Sequence, residues 1–496
     1  MKPIIQNKLF IIITILQVFA VLAAGYYIIL FLYIAISRMT FPLPINWVEG
    51  AVLIQTNRIL LRQPLYPEPG VAYIPLVYQP LFFYIAAAFM KVLGVGMMPL
   101  RLVSILSTCG SMLMIFLTTK KLSGAYIPAL LSAGLFAATN GLFVRWLDTG
   151  RVDMLCLFLF MTGLYFLLQD NDRDAVLAGI FFALSCFTKQ TSLPIVLLIF
   201  GCYFFARRKQ ALIFIVIFGL LSGAGTLLMN YRSDGLYTFY IYTLPSYHRL
   251  NTSIDQFIQL VIDPAIRPIL IVLGVVLFSI IADLTKFTRD HRYALLIIIT
   301  IGTLLLSTWG AMIAWSDINA FIPAYAMIAI MFGLGLQSLK ENFDAASSGK
   351  LRLAGSAFLL GMCLLQFSFL HYKSEDFIPT TQDLEESQAL IDSIKKTEGE
   401  ILIPSENYLG LYTGKNVYYH SAPLGEFDGW FGSKTLRQWP KIKSQIVGTI
   451  HSGEVKFVYM NKREYKERWL GMTCKKMDTF HSKSKFVPTL YKMACQ

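Results

Sequence analysis

The chain is dominated by a succession of near-continuous apolar runs, not by strand-like alternation or the stripe of an amphipathic helix. They fall near residues 9–35, 99–118, 124–142, 154–168, 175–188, 190–206, 211–229, 265–283, 293–309, 319–337 and 353–372. Runs of about 18 or more apolar residues read as helices that cross a bilayer, so the pattern predicts eleven spanning helices. The stretch 175–206 is too long for one span and is interrupted at Lys189-Gln190 and Pro194, so it reads as two helices meeting at a membrane surface. A further apolar segment, 76–98, carries Pro80 near its start and Lys91 inside it. A lysine at mid-membrane is costly, which favours a helix lying in the interface.

Charge in the connections sets the orientation. Short basic loops hold Lys120-Lys121, Arg173, Arg207-Arg208-Lys209, Lys286 to Arg292, and Lys340 to Arg352. The alternate connections hold Asp148, Asp153, Lys189, the long 230–264 loop and Asp317, with fewer cations. Positive residues concentrate on the cytoplasmic side. The expectation is a multi-pass plasma (inner) membrane protein with a cytoplasmic N-terminus, in which Glu49, Asp153, Lys189 and Asp317 share the outer face. The tyrosines of 230–264 admit two readings, an acceptor-facing lid or an interfacial aromatic belt, and the belt is preferred. Residues 1–372 form the membrane domain, with 36–98 as its first outer loop. Beyond 372 the composition turns polar: residues 373–496 hold 18 of the 43 Lys+Arg and 15 of the 30 Asp+Glu. This segment reads as a separate extracytoplasmic α/β domain, helical over Ser387–Lys396 and Leu436–Ile450 and extended over Glu400–Pro404 and Val455–Met460. In an oxidising compartment Cys474 and Cys495 could pair.

Composition agrees with this picture: 55% of the 496 residues are hydrophobic and 15% charged. The formal charge of +13 is explained by topology and anionic lipid headgroups, not by nucleic acid. The remaining five cysteines lie in apolar runs, and no pair has metal-ligand spacing.

Chemistry gathers at the predicted outer ends of the helices. Glu49 is the first acidic residue of the chain, in Asn46-Trp47-Val48-Glu49-Gly50, where a membrane helix has just ended. Around it the topology collects Asp148, Asp153 and Asp317, the cations Arg58, Arg101, Arg151 and Lys189, and the aromatics Trp47, Tyr78, Tyr84, Trp146 and Trp315. A carboxylate can act as general base, cations can hold a departing phosphate, and aromatic faces can support a sugar ring.

The order of these motifs resembles the GT-C superfamily of integral-membrane glycosyltransferases, nearest the aminoarabinose transferase and protein O-mannosyltransferase branch. The motifs are the acid after the first helix, Tyr78-Gln79-Pro80-Leu81, Arg101 opening the next helix, Asp148-Thr149-Gly150-Arg151-Val152-Asp153, and Thr188-Lys189-Gln190. The resemblance covers residues 9–340 and implies an inverting transferase acting on the extracytoplasmic side. It would move a sugar from a polyprenyl-phosphate donor to a lipid, glycan or protein acceptor. Glu49 then matches the base, Asp153 a second catalytic acid, and Arg58, Tyr78, Gln79, Arg101, Asp148, Arg151 and Lys189 substrate-binding positions. Gly50 stands where many members carry a second acid, so no paired acid motif supports a divalent metal and no cofactor is required. The rival reading is a transporter or flippase of lipid-linked sugars, which would place ionisable residues deep in the spans.

Overall fold

The computed structural model describes residues 2–314, 316–345, 349–430, 434–461 and 473–495. The expected aromatic Trp315 lies outside them. The membrane part is a helical bundle: α1 (Lys2–Met39), α2 (Glu49–Leu60), α3 (Leu81–Leu93), α4 (Met97–Ser123), α5 (Tyr126–Ala138), α6 (Val152–Leu167), α7 (Asp172–Cys186), α8 (Leu193–Ala206), α9 (Arg208–Arg232), α10 (Leu270–Ala282), α11 (His291–Met312), α12 (Ile322–Asp344) and α13 (Gly349–Phe369). Among the described residues, eight helical segments are long and apolar enough to cross a membrane. The other three expected spans, α6, α7 and α8, have 16, 15 and 14 residues. At 1.5 Å per residue they reach only about 21–24 Å, short of a ~30 Å hydrocarbon core. The shortfall is tolerable because α6 is buried almost throughout. Irregular backbone at membrane depth is acceptable where protein, not lipid, surrounds it. The 13 residues of α3 are too few to span, as expected of an interfacial helix, and the break between α7 and α8 falls at Lys189.

Two further elements, α14 (Thr381–Lys396) and α15 (Trp439–His451), accompany a sheet of β1 (Glu400–Leu402), β2 (Val455–Met460), β3 (Cys474–Phe480) and β4 (Leu490–Cys495). The strand order is β1-β2-β4-β3, with β1 parallel to β2 and the other pairs antiparallel. Thr380 and Asp383 form a capping box that starts α14, satisfying two otherwise unpaired helix-end donors. Cys474 and Cys495 are disulfide-bonded across β3 and β4. This unit does not pack by itself. One hydrophobic core joins Leu390, Ile394 and Tyr408 to Leu43, Phe82 and Leu100. A second joins Ile442, Ile446 and Val458 to Tyr66, Tyr237 and Tyr240. The expected aromatic belt is therefore corrected: Tyr237 and Tyr240 are fully buried, because the C-terminal unit covers the loop that carries them.

Candidate functional site

The site is built on the segment 148–153, which is tied down at nearly every residue. Asp148 closes a buried ion pair with Arg38 at the end of α1, where Arg38 Nε donates to Oδ2 at 2.6 Å. Gly150 N donates to Glu49 Oε1 at 2.7 Å. The carbonyl of Arg151 accepts from Ser104 at 3.2 Å. A Cβ on Gly150 would lie 2.5 Å from Leu100 Cβ and 3.2 Å from Glu49 Oε1, so only glycine lets this backbone reach the carboxylate.

Glu49 opens α2, where an acid suits the positive end of the helix dipole. It is fully buried, and Arg101 grips it in a fork, Nε to Oε1 at 2.9 Å and a terminal nitrogen to Oε2 at 2.8 Å. Ile45 N adds a donor to Oε2 at 2.8 Å. With Gly150, Glu49 accepts four hydrogen bonds, the capacity of a carboxylate. Arg101 spends its remaining donors on the carbonyls of Arg38, Phe41 and Leu43. Together these two residues organise the loop between α1 and α2.

A second group lies at the start of α6. Arg151 donates to Tyr78 Oη at 2.6 Å and to Asn46 Oδ1 at 3.2 Å, with its guanidinium 4.5 Å from the Trp146 ring centre. Asp153 Oδ1 accepts from Lys189 Nζ at 2.7 Å and from Asn319 Nδ2 at 2.9 Å. Asp153 Oδ2 and Arg151 Nε stand 3.8 Å apart. Neither has a hydrogen-bond partner among the described residues, although both atoms are buried. Gln190 Oε1 is likewise unpartnered while its amide nitrogen donates to the carbonyls of Val77 and Ile241. Buried polar atoms are nearly always paired, so an orphan donor beside an orphan acceptor signals a place for a ligand. Arg151, Lys189 and Asp153 sum to one net positive charge, which suits a singly charged phosphodiester.

The other expected residues are placed as follows. Gln79 is fixed by Tyr237 and Tyr242, accepting from Tyr237 Oη at 2.5 Å and donating to Tyr242 at 3.3 Å. Arg58 lies apart, donating to the Pro64 carbonyl at 2.9 Å with its guanidinium 4.0 Å above the Tyr73 ring. Asp317 caps a short turn, accepting from Ile318 N at 2.6 Å. Asn319 and Arg38 join the network unannounced; Asn46 and Gln190 stood inside quoted motifs but were given no role. Among the described residues, no group of three or more His, Cys, Asp or Glu could hold a metal ion. Two open clefts, of about 480 and 510 Å³, flank the C-terminal unit, and neither is lined by Asp153.

The family model for dolichyl-phosphate-mannose-protein mannosyltransferases matches residues 75–229, the part that carries Tyr78, Gln79, Arg101, Asp148, Arg151, Asp153 and Lys189. No curated protein matches the chain in sequence. The fold is similar to the crystal structure of ArnT from Cupriavidus metallidurans in the apo state, at 12% identity and a TM-score of 0.62, covering 95% of this chain and 98% of that one. The same protein bound to undecaprenyl phosphate gives 10% identity and 0.62, covering 94% and 97%. The archaeal oligosaccharyltransferase AglB from Archaeoglobus fulgidus, in complex with an inhibitory peptide and a dolichol-phosphate, gives 12% identity and 0.57, covering 89% and 70%.

Proposed function

We propose that this chain, which by fold belongs to the GT-C superfamily of integral-membrane glycosyltransferases, is a polyprenyl-phosphate-sugar-dependent hexosyl or pentosyl transferase. It works at the extracytoplasmic face of the inner membrane, on a lipid, glycan or protein acceptor. The observation that carries this reading is the loose ion pair of Arg151 Nε and Asp153 Oδ2, buried, 3.8 Å apart and without a hydrogen bond on either atom, beside Lys189. Two cations there match the charge of a sugar–phosphate linkage, and one carboxylate oxygen is left to take a proton.

In the step, Asp153 Oδ2 removes the proton from the acceptor's hydroxyl or amine. The acceptor's heteroatom bonds to the anomeric carbon while that carbon's bond to the phosphate oxygen breaks. The electron pair leaves with polyprenyl phosphate, held by Arg151 and Lys189. A single displacement of this kind inverts the anomeric configuration, and a phosphate leaving group needs no strong general acid. Glu49, expected to be the base, is reassigned: with four donors on its carboxylate it holds Arg101 and Gly150 and thereby sets the height of Arg151. Asp148 is reassigned likewise, to the ion pair with Arg38, and Arg58 to the outer loop. The guanidinium and ammonium groups supply the charge that a divalent metal would otherwise bring, so no cofactor is required.

The test is transfer from a panel of radiolabelled polyprenyl-phosphate sugars by purified protein in detergent, with and without a chelator. The reading expects one donor to be consumed, chelator-insensitive turnover, and loss of at least ~100-fold on Lys189→Ala. Folded protein that consumes no donor contradicts it and turns attention to lipid transport.

A further inference from the structure

Asn319 lies on the short turn Ile318–Phe321 that leads into α12, 166 residues from Asp153 in sequence, and donates Nδ2 to Asp153 Oδ1 at 2.9 Å. A carboxylate only accepts, so the amide must present its NH₂ here. Lys189 uses the same oxygen, at 2.7 Å. With both donors on Oδ1, Oδ2 makes no hydrogen bond, and Arg151 Nε stands 3.8 Å from it.

We propose that Asn319 is a positioning residue for sugar transfer, fixing the rotation of the Asp153 carboxylate so that Oδ2, not Oδ1, faces the incoming nucleophile. The proposal rests on the reading of Asp153 given above. Without a second donor on Oδ1, the carboxylate is free to turn and share both oxygens with Arg151 and Lys189, leaving no basic lone pair directed at the acceptor. The residue type fits the task. A third cation would over-neutralise Asp153, an acid would repel it, and an apolar side chain would release it. The amide's support is firm, since Asp317 accepts from Ile318 N at 2.6 Å and α12 is buried over most of its length. A turn in the late half of the bundle thereby sets an angle at the start of a helix in the early half.

The experiment compares kcat and donor KM for wild type, Asp153→Asn, Asn319→Leu, Asn319→Asp and Asp317→Ala, each with a melting curve. Asn319→Leu is expected to lose roughly 10–100-fold in kcat with donor KM within about threefold, the scale of a small misplacement of a catalytic group. Asn319→Asp, of the same shape, is expected to lose at least as much. Asp317→Ala removes the cap but keeps the amide; it is expected to lower the melting temperature while holding kcat within about threefold. Wild-type kcat in Asn319→Leu overturns the proposal, and so does an equal loss in Asp317→Ala, which makes the turn merely structural. In either case an inactive Asp153→Asn leaves the transferase reading standing. A wild-type protein inactive on every donor removes that reading and this one with it.

Discussion

At Glu49 four donors converge on one fully buried carboxylate, whereas at Asp153 two donors share one oxygen and the other is unclaimed. Removing one partner of a buried ion pair leaves an uncompensated charge, at a cost of about 3–5 kcal/mol. Arg101→Ala should therefore lower unfolding stability by that amount, and the double variant with Glu49→Ala should lose less than the sum of the two single losses, as chemical denaturation in detergent would report. The polar positions between apolar runs were legible as a group, since charges at helix ends stand out against a hydrophobic background. Their pairing was not. Asp148 finds Arg38 at a separation of 110 positions, and nothing in the local pattern around either residue points to the other. Asn319 was invisible for a simpler reason: a single neutral amide at a helix start carries no periodicity and no charge.

At the scale of elements, the junction between α2 and the C-terminal unit is a close contact near the site. A Cβ on Gly50 would meet the Tyr408 ring at 2.5 Å, so Gly50→Ala should cost about 1–3 kcal/mol by overpacking. Tyr408→Leu in the same chain should restore part of that loss, and melting temperatures of the single and double variants check it. Where the superfamily pattern suggested a second acid, this chain thus seats a tyrosine from its own C-terminal part. The disulfide closes a loop whose ends are 21 residues apart, which by chain entropy is worth about 3 kcal/mol. Cys474→Ser should lower the stability of the sheet by that order while leaving the helical circular dichroism unchanged. The long helices, β1, β2 and the break at Lys189 were readable from run length and turn residues, whereas β3 and β4 were not picked out. The runs 154–168, 175–188 and 190–206 were visibly short as well; what they did not reveal is that α6 is buried almost throughout by neighbours far away in sequence.

For the whole molecule, the loop after α9 ties the bundle to the C-terminal unit. His248 Nε2 and Glu426 Oε2 are 2.6 Å apart, and Lys434 sits 4.1 Å from the centre of the Tyr247 ring. Burial acts against the imidazolium of His248, yet hydrogen bonding and attraction to Glu426 outweigh it and raise its pKa above the ordinary value. A raised folded-state pKa means that the tether contributes fully below the unfolded value of about 6.5 and fades as pH rises through the folded one. The melting-temperature gap between wild type and Glu426→Gln should therefore be wide near pH 5.5 and narrow near pH 9. The sequence suggested a free-standing outer domain because its composition changes near residue 373. The shared cores escaped it because partly apolar loops such as 65–78 and 236–244 do not reveal what they pack against. The 65–78 stretch carries Tyr78, which reaches the 148–153 segment through Arg151. The most direct measurement is donor consumption per folded molecule, side by side, for Asp153→Asn and Glu49→Gln. Loss of about 100-fold or more in Asp153→Asn, with Glu49→Gln less stable but turning over within about tenfold of wild type, is the predicted result. An active Asp153→Asn beside a dead, folded Glu49→Gln would return the base to Glu49 and contradict it.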